Sequence, residues 1–233
     1  FDHGNVHVVS LDSQLSARDA GQRATMRSWL IDDLSSNTSD WTVVIFHHPP
    51  YSKGANHDSD TTDTRGDIDL PQLLMREEFV ELFDEYGVDL VYSGHSHSYE
   101  RSYYLRGHTE SSDMFTPAAH AELVDGDPAR PASGREGEAY AQLSPTSGGV
   151  DDRVVYTVAG NGGKADETAG RLTAADVWLL HPAHIEQPAD TETPSRRGLP
   201  IIGSVIVDAG ASELAASFID VNGNVLDRFT ITR

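Results

Sequence analysis

The sequence predicts an α/β (α+β) fold: a layered sandwich of two mixed β-sheets flanked by helices. Three observations carry that expectation. Short unbroken apolar runs, VHVVSLD (6–12), WTVVIF (41–46) and VDLVYS (88–93), have the length of strands buried on both faces. Segments of helical spacing separate them, so the first half reads strand, helix, strand, helix, strand, the order of layered α/β folds. The chain then closes on ELAASFIDVNGNVLDRFTITR (213–233), two alternating runs around Asn222–Gly223, the signature of a hairpin with a two-residue turn.

Taken in order, VHVVSLD is the first buried strand. ARDAGQRATMRSWLIDDLSS (17–36) is the first helix, with Ala20, Ala24, Ile31 and Leu34 on one stripe. WTVVIF is the second strand. The prolines of HHPP (47–50) end it, and Pro49 holds His48 extended. A polar loop follows. Pro71 then opens a second helix whose Met75, Phe79, Leu82, Phe83 and Tyr86 keep helical spacing, with Gly87 as its C-terminal cap. VDLVYS is the third strand and SYERSYYLR (98–106) alternates as a fourth. Residues at about 107–152, rich in Gly, Pro, Ala, Ser and Glu, read as a surface excursion. DRVVYTVAG (152–160) returns to strand, and a polar loop at about 181–199 precedes PIIGSVIVDA.

Composition removes several function classes. The net charge is −20, with a pI near 4.7, which argues against nucleic-acid binding through a basic surface. No apolar run approaches the roughly 18 residues of a membrane span. There is no cysteine, so disulfides and thiolate metal sites are excluded. The chain opens on Phe1 inside what already reads as a strand, so it is expected to begin within a domain.

The chemistry concentrates in two short stretches. In GHSH (94–97), residues i and i+2 of an extended backbone point the same way, about 6–7 Å apart, so His95 and His97 can face one cavity while Ser96 faces away. Gly94 allows the bend at the strand end. Imidazoles so placed suit zinc or iron and can serve two ions about 3.5–4 Å apart, or they can be an ordinary surface pair. His47 and His48 also fall at a strand end, where ligands of layered α/β folds bind. His48 is left between a role beside the metal ligands and a structural one.

VVIFHHPPYSKG followed by LVYSGHSHSYERS resembles the calcineurin-like metallophosphoesterases, especially their purple acid phosphatase branch. The V-x-x-H motif spans Val44–His47 and the G-H-x-H motif Gly94–His97. The match continues through Tyr99, Glu100 and Arg101 to VYTVAGNGG (155–163) and loosely to the terminal hairpin. The resemblance implies hydrolysis of a phosphate-ester substrate, as an acid phosphatase-like phosphomonoesterase, at a binuclear centre of Fe, Zn or Mn. His47 and His95 would bind one ion and His97 the other. His57 would face the substrate phosphate and act in catalysis. Asn56 stands beside it where plant-type members carry a second histidine, and is read as substrate-binding. The family's earlier G-D-x-G, G-D-x-x-Y and G-N-H-[DE] motifs do not occur; GNVH (4–7) is similar to the last, but Val6 interrupts it. Residues 1–233 therefore read as the C-terminal portion of a single catalytic domain, expected to be inactive alone, and the resemblance places the protein in an extracellular or periplasmic compartment. A phosphodiesterase or nucleotidase of the same family, or a non-catalytic metal-binding domain, are the alternatives left open.

Other signals read as structure. DSDTTDTRGDID (58–69) lacks the glycine and glutamate of a calcium loop, and GNGGK (160–164) lacks two positions of a phosphate-binding loop. His3 and His7 are expected to be structural, and His108 and His120 exposed. His181 and His184, in a loop able to border the site, are read as structural or solvent-exposed. No Gly-x-Ser-x-Gly pattern supports a serine hydrolase.

Overall fold

A computed structural model of the chain describes residues 1–54, 57–60, 70–142, 153–165, 181–185, 187 and 198–233. Along the chain run β1 (Asp2–His3), β2 (Val6–Ser10), α1 (Ser13–Arg18), α2 (Ala20–Ser36), β3 (Trp41–Ile45), β4 (Lys53–Gly54), β5 (His57–Asp58), α3 (Leu70–Glu85), β6 (Leu90–Ser93) and β7 (Tyr99–Leu105). They are followed by α4 (Pro117–His120), β8 (Tyr140–Ala141), β9 (Val154–Ala159), β10 (Gly203–Ala209), β11 (Glu213–Asp220) and β12 (Val225–Thr232).

Two mixed sheets form, as expected. The larger has the order β1-β2-β3-β6-β9-β7, with β2, β3, β6 and β9 parallel and both edge strands antiparallel. The smaller has the order β10-β11-β12-β8, with β8 parallel to β12 and the other pairs antiparallel. The period of two along a strand divides each parallel strand between two cores. Val44, Val91 and Tyr156 face α2 and α3, where they meet Leu30, Leu34, Met75, Phe79 and Phe83. Trp41, Val43, Leu90 and Val155 face the smaller sheet and meet Leu214, Ala216, Phe229 and Ile231.

Three details differ from the expectation. The helix predicted over 17–36 is two helices. Asp19 breaks it with an extended backbone, and its carboxylate accepts from the Gly21 and Gln22 amides at 2.8 and 3.1 Å, capping α2. The terminal hairpin forms, but residues 221–224 make a four-residue connection. Asp220 Oδ1 gathers the Asn222 and Asn224 amides at 2.8 Å each, and Gly223 takes a φ of +84°. The excursion is packed down over its described part: Phe115, Ala121, Ala132 and Tyr140 are buried, and β8 extends the smaller sheet. The second helix ends as read, with Gly87 at φ +66° and the Val88 amide donating to the Phe83 carbonyl at 3.0 Å. Among the described residues, no helix is long and apolar enough to cross a membrane.

Candidate metal site

β3 and β6 are parallel neighbours, and their carboxyl ends bring His47 and His95 together. The Phe46 amide donates to the Tyr92 carbonyl at 3.1 Å and the Gly94 amide to the His47 carbonyl at 3.0 Å, so the two strands stay paired up to the histidines. His47 Nε2 lies 3.2 Å from His95 Nδ1. A third imidazole joins them: one ring nitrogen each of His47, His48 and His95 lie within 4.8 Å of one another. His57, on β5, comes back over the same place, with its ring centroid 3.8 Å from that of His95. His97 stands outside the trio but near enough for its charge to act on His47. Asn56 lies outside the described residues.

The site's electrostatics keep His47 neutral. Burial, and then the neighbouring His95, His57 and His97, hold its imidazole below the usual histidine value. A neutral ring presents a lone pair, the form a metal ion requires. The donor set fits a single ion of the zinc type, for which three imidazoles are an ordinary shell. Among the described residues no carboxylate joins the trio.

The loop that carries His95 and His97 is held from beneath. His95 adopts φ +65°, a left-handed conformation uncommon for a residue with a side chain. A Cβ on Gly160 would collide with the Ser96 carbonyl oxygen, so only glycine lets the turn after β9 approach this loop. The extended backbone expected over 95–97 is replaced by this bend, and Ser96 turns towards Glu100. Its hydroxyl and that of Ser98 donate to Glu100 Oε1 at 3.1 and 2.7 Å. Glu100 is 2% exposed, and His184 Nδ1 lies 3.2 Å from its other oxygen. Burial pushes the Glu100 carboxyl up, but contact with His184 and then the two serines outweigh it and hold the group below its ordinary value. The buried carboxylate therefore stays charged under the loop.

His48 is the member of the trio that spacing did not settle. Adjacent residues of an extended strand face opposite ways, so His47 and His48 share a site only where the backbone bends. Ser13 at the start of α1 supplies the bend's partner: its hydroxyl meets His48 Nδ1 at 2.8 Å and accepts from the His48 amide at 3.2 Å. Beside His47 and Gly94, a cavity of about 870 Å³ opens between the sheets, lined largely by apolar strand residues such as Val8, Ile45, Tyr92 and Val205.

His3 is exposed, and His7 is structural as expected, bonded to Asp2 and Asp33 at 2.7 and 2.8 Å. The expectation that His108 is exposed is corrected: it is 1% exposed, stacked on Tyr51 and beside Phe115, His120 and His181. His120 is half-buried. Burial, the neighbouring His120 and the Arg76 charge push His108 down to about 4, against the smaller opposing pull of Asp60. Because this folded value lies below the ordinary 6.5, the unfolded chain takes the proton first. Stability from His108 is full above about pH 6.5 and is lost as pH falls towards about 4, by about 3 kcal/mol. Urea unfolding of the wild type and of His108→Phe at neutral pH and at pH 4 checks this. The wild type should lose more on acidification, and parallel losses would remove His108 as the cause.

Parallel strands whose carboxyl ends converge on imidazoles define a cluster of potential metal ligands at the strand ends of a layered α/β fold. Comparison with known proteins narrows the class. Residues 1–99 match the family model of the calcineurin-like phosphoesterases. Purple acid phosphatase 22 of Arabidopsis thaliana is 31% identical over 150 residues, covering 63% of this chain and 29% of the relative. Purple acid phosphatase 23 of the same plant is 33% identical over 104 residues, 43% of this chain and 20% of the relative. An uncharacterized protein of Mycobacterium tuberculosis is 34% identical over 140 residues, 54% of this chain and 24% of its own length. A purple acid phosphatase from yellow lupin (Lupinus luteus) seeds shares the fold, with a TM-score of 0.58 at 18% identity over 100% of this chain and 32% of the lupin chain. The chain is thus similar to the calcineurin-like phosphoesterases over residues 1–99 and to purple acid phosphatases over up to 63% of its length. It spans about a quarter of the length of the curated relatives it matches.

Proposed function

We propose that this chain contributes the histidine-rich half of a phosphate-ester hydrolysing site, acting as an acid phosphatase-like phosphomonoesterase with a binuclear centre of Fe, Zn or Mn. The carrying observation is the 3.2 Å approach of His47 and His95, with the His57 ring centroid 3.8 Å from that of His95. His47 and His95 would hold one ion, with His48 beside them, and His97 would serve the second. When bound, the metal supplies Lewis-acid polarisation of phosphoryl oxygens and neutralises developing charge. The chain's own residues do the rest. Neutral imidazoles offer their lone pairs, Glu100 keeps the loop from Gly94 to Ser98 rigid, and His57, with Asn56, faces the phosphate. His57 then donates a hydrogen bond to the phosphate or a proton to the leaving oxygen. By the same family resemblance the protein works in an extracellular or periplasmic compartment.

The test uses the longest natural form of the protein, loaded with Zn, Mn or Fe. It should hydrolyse an aryl phosphate monoester faster than the corresponding diester, lose activity on chelation, and bind less metal after His47→Ala. Metal binding at the histidines without turnover of either ester would turn the reading into that of a non-catalytic metal-binding domain. A preference for diesters or nucleotides would move it to a phosphodiesterase or nucleotidase.

A further inference from the structure

We propose that Arg76, on the buried face of α3, is a positioning residue that holds His57 against the metal-site imidazoles. The inference rests on the role of His57 given above, and its geometry stands apart from any activity.

His57 sits on a very short hairpin. β4 and β5 pair only as Lys53 with Asp58 and Gly54 with His57. A two-stranded hairpin of this size is at best marginally stable by itself. Its base is closed by Ser52 and Ser59: the Ser59 amide donates to the Ser52 carbonyl at 2.9 Å, and the Ser52 amide to the Ser59 hydroxyl at 3.2 Å. The direction in which the hairpin projects His57 is therefore set by whatever grips that base.

Arg76 grips it. Its side chain is 2% exposed. Nη1 donates to the Ser59 carbonyl at 2.8 Å, to the Pro50 carbonyl at 3.3 Å and to Asp60 Oδ1 at 3.2 Å. One guanidinium nitrogen thus joins the outgoing leg of the loop, just after His47 and His48, to the returning leg, just after His57. Nε reaches the Thr109 carbonyl at 3.4 Å, and Asp60 in turn accepts from the Ser112 amide at 3.0 Å with each oxygen. The start of the 107–142 segment is tied into the same node. A planar fork of five donors can span such a set of acceptors, whereas an ammonium group is a single point of charge. α3 is a packed helix with Met75, Phe79 and Phe83 in the core, so it is a fixed platform for the hairpin.

None of these contacts reaches His47, His48 or His95 by side chain. Arg76→Lys keeps the positive charge but loses the fork. It should let His57 swing away while leaving the trio assembled. The direct readout is the nuclear Overhauser effect between ring protons in the 233-residue chain, labelled at histidine. Wild type should show His57–His95 and His47–His95 cross-peaks. Arg76→Lys should lose the first and keep the second, with unchanged zinc affinity. Retention of the His57–His95 cross-peak would overturn the proposal. Loss of both would also overturn it, because Arg76 would then be supporting the whole site. If Arg76→Lys does not fold, Asp60→Asn decides: it removes the carboxylate charge from the node yet leaves an acceptor for Ser112. It should weaken the His57–His95 cross-peak, and an unaltered cross-peak sinks the idea. In the metal-loaded natural protein, a displacement of about 1 Å should lower kcat by about 10²-fold with metal content retained. Absence of any esterase activity in the wild type would refute the phosphatase reading while the cross-peaks still decide the role of Arg76.

Discussion

Asp227→Ala is expected to cost about 3–5 kcal/mol of folding stability, the penalty of breaking a buried ion pair from one side. Asp227 on β12 is 4% exposed and gathers four partners. Arg101 donates from Nε at 2.6 Å and Nη2 at 3.1 Å, Tyr99 from its hydroxyl at 2.9 Å, Arg135 from two nitrogens at 3.3 Å, and Gln187 at 3.3 Å. Burial pushes the Asp227 carboxyl up, but the Arg101 charge and hydrogen bonds, with Arg135 and Tyr99 behind them, hold it below its ordinary value. Truncation leaves the Arg101 guanidinium, whose side chain is 0% exposed, buried beside Phe229 without its counter-charge. The damage also reaches the site, because Tyr99 and Arg101 flank Glu100 on β7, directly after the loop of His95 and His97. Urea unfolding of Asp227→Ala, Arg101→Met and the double variant Asp227→Leu/Arg101→Met makes the comparison. The double variant should recover much of the loss, since a packed apolar pair carries no desolvation cost. A single-variant loss no larger than about 1 kcal/mol, that of an exposed pair, would show that the hub contributes nothing beyond a surface contact.

What the sequence made legible follows from the range over which each signal acts. The parallel strands were readable because burial on both faces leaves unbroken apolar runs, as in WTVVI and LVYS. Strand-end placement indicated where His47 and His95 stand, and the distances report their approach, whereas the spacing of two assumed an extended backbone that bends at His95, φ +65°, and leaves His97 outside the trio. Their roles as ligands rest on the resemblance. The break at Asp19 was hidden because Ala20, Ala24, Ile31 and Leu34 keep their stripe on either reading. The 107–142 segment looked like surface because its composition is that of a loop. Its burial depends on isolated anchors, His108, Phe115 and Tyr140, which carry no periodicity. Arg76 reads as an ordinary helix arginine beside Glu77 and Glu78. Only the fold brings Pro50, Ser59 and Thr109 to it. Arg101 and Asp227 are 126 positions apart, and no local pattern announces a partner at that separation.

His57→Ala is expected to lower kcat by about 10²–10⁴-fold in the metal-loaded natural protein while leaving metal content intact, the range set by loss of a general acid. Metal content should survive because the trio of His47, His48 and His95 assembles without His57. Activity should not, because the β4–β5 hairpin brings the His57 ring against that of His95, 3.8 Å between centroids and tilted by 46°. The variant His57→Asn separates two ways of acting. An amide can donate a hydrogen bond to a phosphate oxygen but cannot give up a proton to a leaving group at these pH values. If His57 orients the phosphate, Asn should restore much of kcat and KM. If it protonates the leaving oxygen, Asn should be as slow as Ala. Aryl esters of increasing leaving-group acidity sharpen the distinction: the deficit of His57→Ala should shrink as the leaving group needs less help from a proton. Unchanged kcat in His57→Ala would remove the residue from the mechanism, and loss of metal in that variant would make it a ligand instead.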